Sequence, residues 1–126
     1  MPARPPGASA PSLSFPRARR LRKPGDFKRV YAGGRRSGNE YFTVNTQRNE
    51  FNSARLGMSV AVRTLGGAVE RNRMRRVIRE SFRLQQSMLP PIDIIIGVRP
   101  AARAAEPARL RASLERIWQI LVEWNA

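Results

Sequence analysis

Apolar residues recur at helical spacing between Ala68 and about Met88. At about 100° per residue, Val77, Ile78, Ser81 and Phe82 fall within roughly 80° of Met74 on a helical wheel. Asn72, Arg73, Arg75, Arg76, Arg79 and Arg83 take the opposite side. The pattern predicts a helix that buries one stripe and presents guanidinium groups on its other face, stopped by Pro90-Pro91. A second amphipathic helix is predicted from Pro107 to about Trp124, with the stripe Leu110, Leu114, Ile117, Trp118, Leu121 and Val122. A shorter one runs from Lys23 to Ala32. Pro24 suits its first turn, Asp26 complements the helix dipole there, and Gly33-Gly34 ends it. Phe27, Val30 and Tyr31 share one of its faces.

Other segments follow a strand pattern. Tyr41 to Asn45 is rich in β-forming residues. Arg55 to Arg63 alternates Leu56, Met58, Val60 and Val62 with Gly57, Ser59 and Ala61, which predicts a strand with one core face. Ile92 to Val98 is nearly all apolar, as in a strand covered on both sides. Between these elements Arg35 to Asn39 reads as a loop, Gln47 to Ala54 as a hairpin turn, Thr64 to Gly67 as a flexible connection and Pro100 to Glu106 as a loop. The predicted fold is one α/β (α+β) domain in α-β-β-α-β-α order, a small sheet packed with helices. Strand 55–63, helix 68–88 and strand 92–98 make a β-α-β unit. Residues 1–16 hold five of the ten prolines and read as a disordered tail. The domain proper is expected over 17–126.

Charge then changes the picture of the helix from Ala68. The 126 residues carry 24 Lys+Arg against nine Asp+Glu, a formal net charge of +15. Solvated helix faces usually mix both signs, whereas residues 71–83 hold six arginines and one acid, Glu80. An excess of one sign points to a polyanionic partner, and the planar fork of arginine suits phosphate. A membrane is not the expected partner: the longest apolar run, Ile94 to Val98, is far too short to span a bilayer, and no apolar stretch follows Arg4 as in a secretory signal. The chain has no cysteine and no histidine, which removes disulfides, zinc sites, Ser-His triads and imidazole acid–base chemistry, and fits a cytoplasmic protein. The nine acids are scattered without a DxD or ExxE cluster, so a two-metal nuclease carried by the chain itself is disfavoured. A DNA-binding regulator could set an arginine helix in a major groove, but no helix-turn-helix spacing accompanies it.

The ordered residues resemble the protein subunit of bacterial ribonuclease P. The resemblance is strongest at Arg71-Asn72-Arg73, followed by Arg75-Arg76 and Arg79-Glu80 and ending at the aromatic Phe82. Arg55-Leu56-Gly57-Met58-Ser59-Val60 is similar to the family's strand before that signature, and Gly66, Ala68 and Val69 to its lead-in. Leu21, Asp26, Phe27, Val30 and Tyr31 are similar to its first helix, and Asp93-Ile94-Ile95-Ile96 with Arg99-Pro100 to its last strand. The resemblance spans about residues 15 to 122. Two positions depart from it: Val62 precedes Arg63 where the family often has two basic residues, and Asn45 lies where some members carry an aromatic.

The resemblance implies a left-handed β-α-β crossover, as in a ribosomal small-subunit protein, although general topology rules favour the right-handed form. It also implies a partner, the catalytic RNA of ribonuclease P, and a joint activity, removal of the 5′ leader from precursor tRNA. In that reading Arg71, Asn72, Arg73, Arg75, Arg76 and Arg79 face the catalytic RNA. Phe27 and Tyr31 line a cleft for the single-stranded leader, with Phe42, Ser59 and Arg63 as further candidates. By composition alone each aromatic fits a core better than a stacking platform, by roughly two to one, and it is the resemblance that reverses this for Phe27 and Tyr31. Trp118 is expected in the core and Trp124 at a helix end. The chain itself contributes no catalytic residue, binds no cofactor and needs no other protein; magnesium is required by the RNA. The alternative is a ribosome-associated or other structural RNA-binding protein with no role in cleavage.

Overall fold

The computed structural model describes residues 19–123, and for Val62 and Arg63 the backbone alone. The predicted tail, the domain start near Phe15 to Arg17 and Trp124 lie outside the described residues. Four strands form one sheet: β1 (Arg35–Gly38), β2 (Phe42–Arg48), β3 (Arg55–Ser59) and β4 (Ile92–Val98), in the order β1-β2-β4-β3. The helices are α1 (Pro24–Gly33), the short α2 (Val62–Leu65), α3 (Ala68–Gln85) and α4 (Pro107–Val122).

Strand β4 is buried along six of its seven residues because both sheet faces are covered. Ile94 and Ile96 face α3 and α4, where they join Phe42, Val44, Leu56, Met74, Ile78, Phe82, Leu114 and Trp118 in the main core. Ile95 points the other way and meets Leu21 and Val30, with Phe27 packed beside them under α1. The stripe read from the sequence is thus the buried stripe of α3: Met74, Ile78, Ser81 and Phe82. Ser81 belongs there because its hydroxyl accepts a hydrogen bond from Trp118 Nε1 at 2.7 Å. The Trp118 ring also meets Phe82 edge-on, with centroids 5.8 Å apart, a favoured aromatic geometry.

Four segments differ from the sequence reading. Arg35–Gly38 is a strand, not a loop, and pairs antiparallel with β2. The segment after β2 is no hairpin: β4 inserts between β2 and β3, antiparallel to the first and parallel to the second. The strand expected to reach Arg63 ends at Ser59, and Val62–Leu65 forms a helical turn that buries Leu65. Pro100–Ala104 is a 3₁₀ turn rather than an irregular loop. The β3-α3-β4 unit stands as a parallel connection. Among the described residues no helix is long and apolar enough to cross a membrane.

Candidate nucleic-acid interface

Helix α3 follows a Gly66-Gly67 corner in which Gly66 takes a positive φ of 88°, a conformation open to glycine without strain. With its apolar stripe anchored, the remaining surface is cationic. Asn72, Arg73 and Arg76 are exposed, while Arg71, Arg75 and Arg79 are half-buried along the flanks. Glu80 is engaged by Arg83, one turn on. Among the described residues no carboxylate pairs with Arg73, Arg75, Arg76 or Arg79. The Nε of Arg71 is buried without an acceptor. Arg73, Arg75, Arg76 and Arg79 leave their paired donors for an external anion.

The second surface lies on the opposite sheet face. Register places three rows of side chains there: Gln47–Asp93–Arg55, Asn45–Ile95–Gly57 and Thr43–Gly97–Ser59. Helix α1 lies over the first row, where Arg29 hydrogen-bonds both Gln47 and Asp93. Phe27 packs down on the middle row, so closely that a Cβ at Gly57 would stand 2.7 Å from its Cζ. Phe27 and Tyr31 stand one turn apart on α1, with ring centroids 6.5 Å from each other. Tyr31 is 49% exposed. Gly57 lets the Phe27 ring, and Gly97 the Thr43 hydroxyl, sit directly on the strand backbone.

This geometry sorts the leader-binding candidates. Phe27 lies over Gly57 on the α1 face of the sheet, Tyr31 stands one turn on from it, and Ser59, two residues beyond Gly57 on that face, is exposed. Phe42 alternates to the other face and is fully buried in the main core, so its ring has no side free for a base. Arg63 is placed on α2 rather than at a strand end. Asn45, which the sequence reading noted only as a departure from the family's aromatic, is 7% exposed on the α1 side of the sheet. Among the described residues its amide has no partner. A polar residue at the centre of an inner strand was the available signal, since buried amides ordinarily bond.

The sequence reading missed the clamp that fixes α1 to the sheet. Asp93 is fully buried. Its Oδ1 accepts from Arg55 Nε and Asn49 Nδ2, each at 2.8 Å, and its Oδ2 from Arg55 at 2.8 Å and from Arg29. Asp26 on α1 lies 3.7 Å from the same Arg55 guanidinium, which rests 4.2 Å from the centre of the Phe51 ring. Burial pushes the Asp93 carboxyl up, but the hydrogen bonds from Arg55, Asn49 and Arg29 outweigh it and hold the group below the ordinary carboxylate range. Arg55 is held above its usual value, chiefly by its hydrogen bond to Asp93 and against its own burial. Asp26 and Asp93 thus both face a guanidinium and offer no open pair of carboxylates. Among the described residues no three metal-ligating side chains gather.

A family model described as Ribonuclease P matches residues 15–122. The ribonuclease P protein component of Thioalkalivibrio sulfidiphilus is 39% identical over 104 residues, covering 82% of this chain and 87% of its own. That of Halorhodospira halophila is 41% identical over 105 residues, covering 82% and 86%. The solved RNase P protein of Staphylococcus aureus superposes with a TM-score of 0.78 at 38% identity, over 82% of this chain and 95% of its own. The RNase P protein of Thermotoga maritima gives a TM-score of 0.74 at 28% identity, over 85% and 98%.

Proposed function

The chain belongs to the ribonuclease P protein family, a component of a ribonucleoprotein endoribonuclease, and on that premise we propose how it divides its surface. The guanidinium face of α3 docks on the catalytic RNA. The trough between α1 and the sheet holds the 5′ leader of precursor tRNA, and the two contacts together place the leader junction for cleavage. The observation that carries this reading is that Arg73, Arg75, Arg76 and Arg79 have no carboxylate partner among the described residues, on a helix whose other face is anchored in the core. A second basic and aromatic surface on the opposite sheet face suits a single strand, which is ordinarily held by cations and stacking platforms.

The chemistry is assigned to the RNA. Phosphodiester hydrolysis needs an activated water and stabilisation of charge on the phosphate and the leaving oxygen. Asp93 and Asp26, the acids beside the trough, are occupied by arginine, whereas RNA phosphates can hold magnesium themselves. The protein's part is to offset repulsion between two polyanions and to position the substrate. The test is reconstitution of the chain with a bacterial ribonuclease P RNA and precursor tRNA at low magnesium. We expect 5′ cleavage that requires the RNA and is stimulated by the protein. Cleavage by the protein alone would refute the assignment, and RNA binding without stimulation would describe a structural RNA-binding protein instead.

A further inference from the structure

A groove of about 580 Å³ lies between α4 and the turn joining β1 to β2, on the side of α4 turned away from Trp118 and α3. Tyr41, Ile117 and Ile120 give it an apolar wall, and Asn39 and the exposed acid Glu40 also line it, at the β1–β2 turn. Ile120 is 68% exposed. Two arginines, Arg109 and Arg116, line the same groove. They are exposed and stand two helical turns apart, about 10.5 Å along the axis. Among the described residues neither has a carboxylate partner. The Asn39 amide donates to Ser113 Oγ at 2.7 Å and ties the turn to the helix, so the groove is held open by a fixed contact rather than by chance placement of a loop.

We propose that this groove binds an unpaired nucleotide of the ribonuclease P RNA, with the base against Tyr41 and Ile120 and the flanking phosphates on Arg109 and Arg116. The volume falls in the range of small-ligand sites, and apolar walls with a few convergent polar groups are their usual make-up. A purely apolar occupant would use the walls and leave two guanidinium groups unanswered. A nucleotide uses both, since every base has a face to stack and every phosphate accepts paired donors. An acidic peptide shares that charge complementarity. RNA is favoured over it because the family's assembly already supplies RNA, and because α4 and α3 form one helical layer that a single large RNA can follow. The proposal rests on family membership and stands or falls apart from the α3 and leader contacts.

Crosslinking tests it in the assembled holoenzyme. With Ile120→p-benzoylphenylalanine in the full chain, irradiation should join the protein to a defined unpaired nucleotide of the RNA subunit. No crosslink to that RNA, or a crosslink confined to precursor tRNA, would overturn the assignment. In parallel, Arg109→Ala/Arg116→Ala should lower the log–log salt slope of RNA-subunit binding by about 1.4, two single-strand phosphate contacts at about 0.7 each. The control Arg48→Ala/Arg111→Ala removes the same charge from exposed sites outside the groove and should change the slope far less. Equal changes would reduce the effect to net charge and refute a built site. Adenosine 5′-monophosphate separates the two sources of a nucleotide. If it occupied the groove undisturbed by saturating RNA subunit, the site would serve free nucleotides and the proposal would fail.

Discussion

Two regions of this molecule are built from arginine and behave in opposite ways. On α3, Arg73, Arg75, Arg76 and Arg79 flank a buried apolar stripe and have no carboxylate partner among the described residues. At the α1 clamp, Arg29 and Arg55 converge on the fully buried Asp93. The side chain is the same; the availability of a carboxylate differs. An arginine bound to a buried acid has spent its directional donors on the fold, and moving it would expose an unpaired charge. An arginine with no acid bound to it has everything left for a partner. Net charge therefore overstates the binding surface of a basic protein, and the unpaired cations define it better.

The sharpest way to break this comparison is to remove the acid. Asp93→Ala leaves Arg55 and Asn49 pointing at a buried void, and unbalancing a buried pair typically costs on the order of 3–5 kcal/mol. Urea unfolding should show a loss of about that size, and selectivity for leader-bearing precursor should fall as α1 loses its anchor. A variant as stable as the parent would make the clamp incidental. Arg73→Ala/Arg76→Ala should do the reverse: stability within about 0.5 kcal/mol of the parent, but a salt slope for RNA binding lower by about 1.4–1.8 for two lost phosphate contacts. Unchanged slope and affinity would remove this face from the interface. Tyr31→Ala probes the trough, where a lost base stack should weaken binding of leader-bearing precursor by about 1–3 kcal/mol and leave mature tRNA unaffected. Equal losses for both ligands would return Tyr31 to a structural role. Phe27→Ala should add a stability loss to the same binding defect, because its ring packs on Gly57.

The α3 face was legible in the sequence because both of its determinants are local. Helical spacing fixed which residues are buried, and the single acid among the arginines, Glu80, is taken by Arg83. Strand β4 and helix α4 were legible for the same reason. Strand β1 was not: Arg35, Arg36, Ser37 and Gly38 are all exposed, so no apolar pattern marks them, and only pairing with β2 makes them a strand. The chain order of β2 and β3 suggested a hairpin, whereas the apolar β4 takes the central place between them. The clamp escaped because its members lie far apart in the chain. Yet Asp93 carried a signal: an acid in a strand buried on both faces has to find a cation. Phe42 shows the limit from the other side, since a strand aromatic is assigned to core or cleft only once its neighbours' register is known.

The smallest expected effect concerns the protonation of Asp93, and its sign follows from the direction of the shift. The folded carboxyl titrates below its ordinary value, near 3.9 in an unfolded chain, so around pH 4 the unfolded state binds more protons than the native state. The stabilisation from this group is therefore complete above the unfolded value and is lost as pH falls from there through the folded value. One proton sets a ceiling of about 1.4 kcal/mol per pH unit on the slope. Arg55 adds nothing in that window, because it stays charged on both sides of unfolding. Asp93→Asn lacks the titrating group, so the stability advantage of the parent over this variant should shrink as pH drops from 5 toward 3. An advantage that stayed constant across that interval would show that the buried carboxylate is not the acid-sensitive element, and that Arg29 and Arg55 hold α1 in place without it.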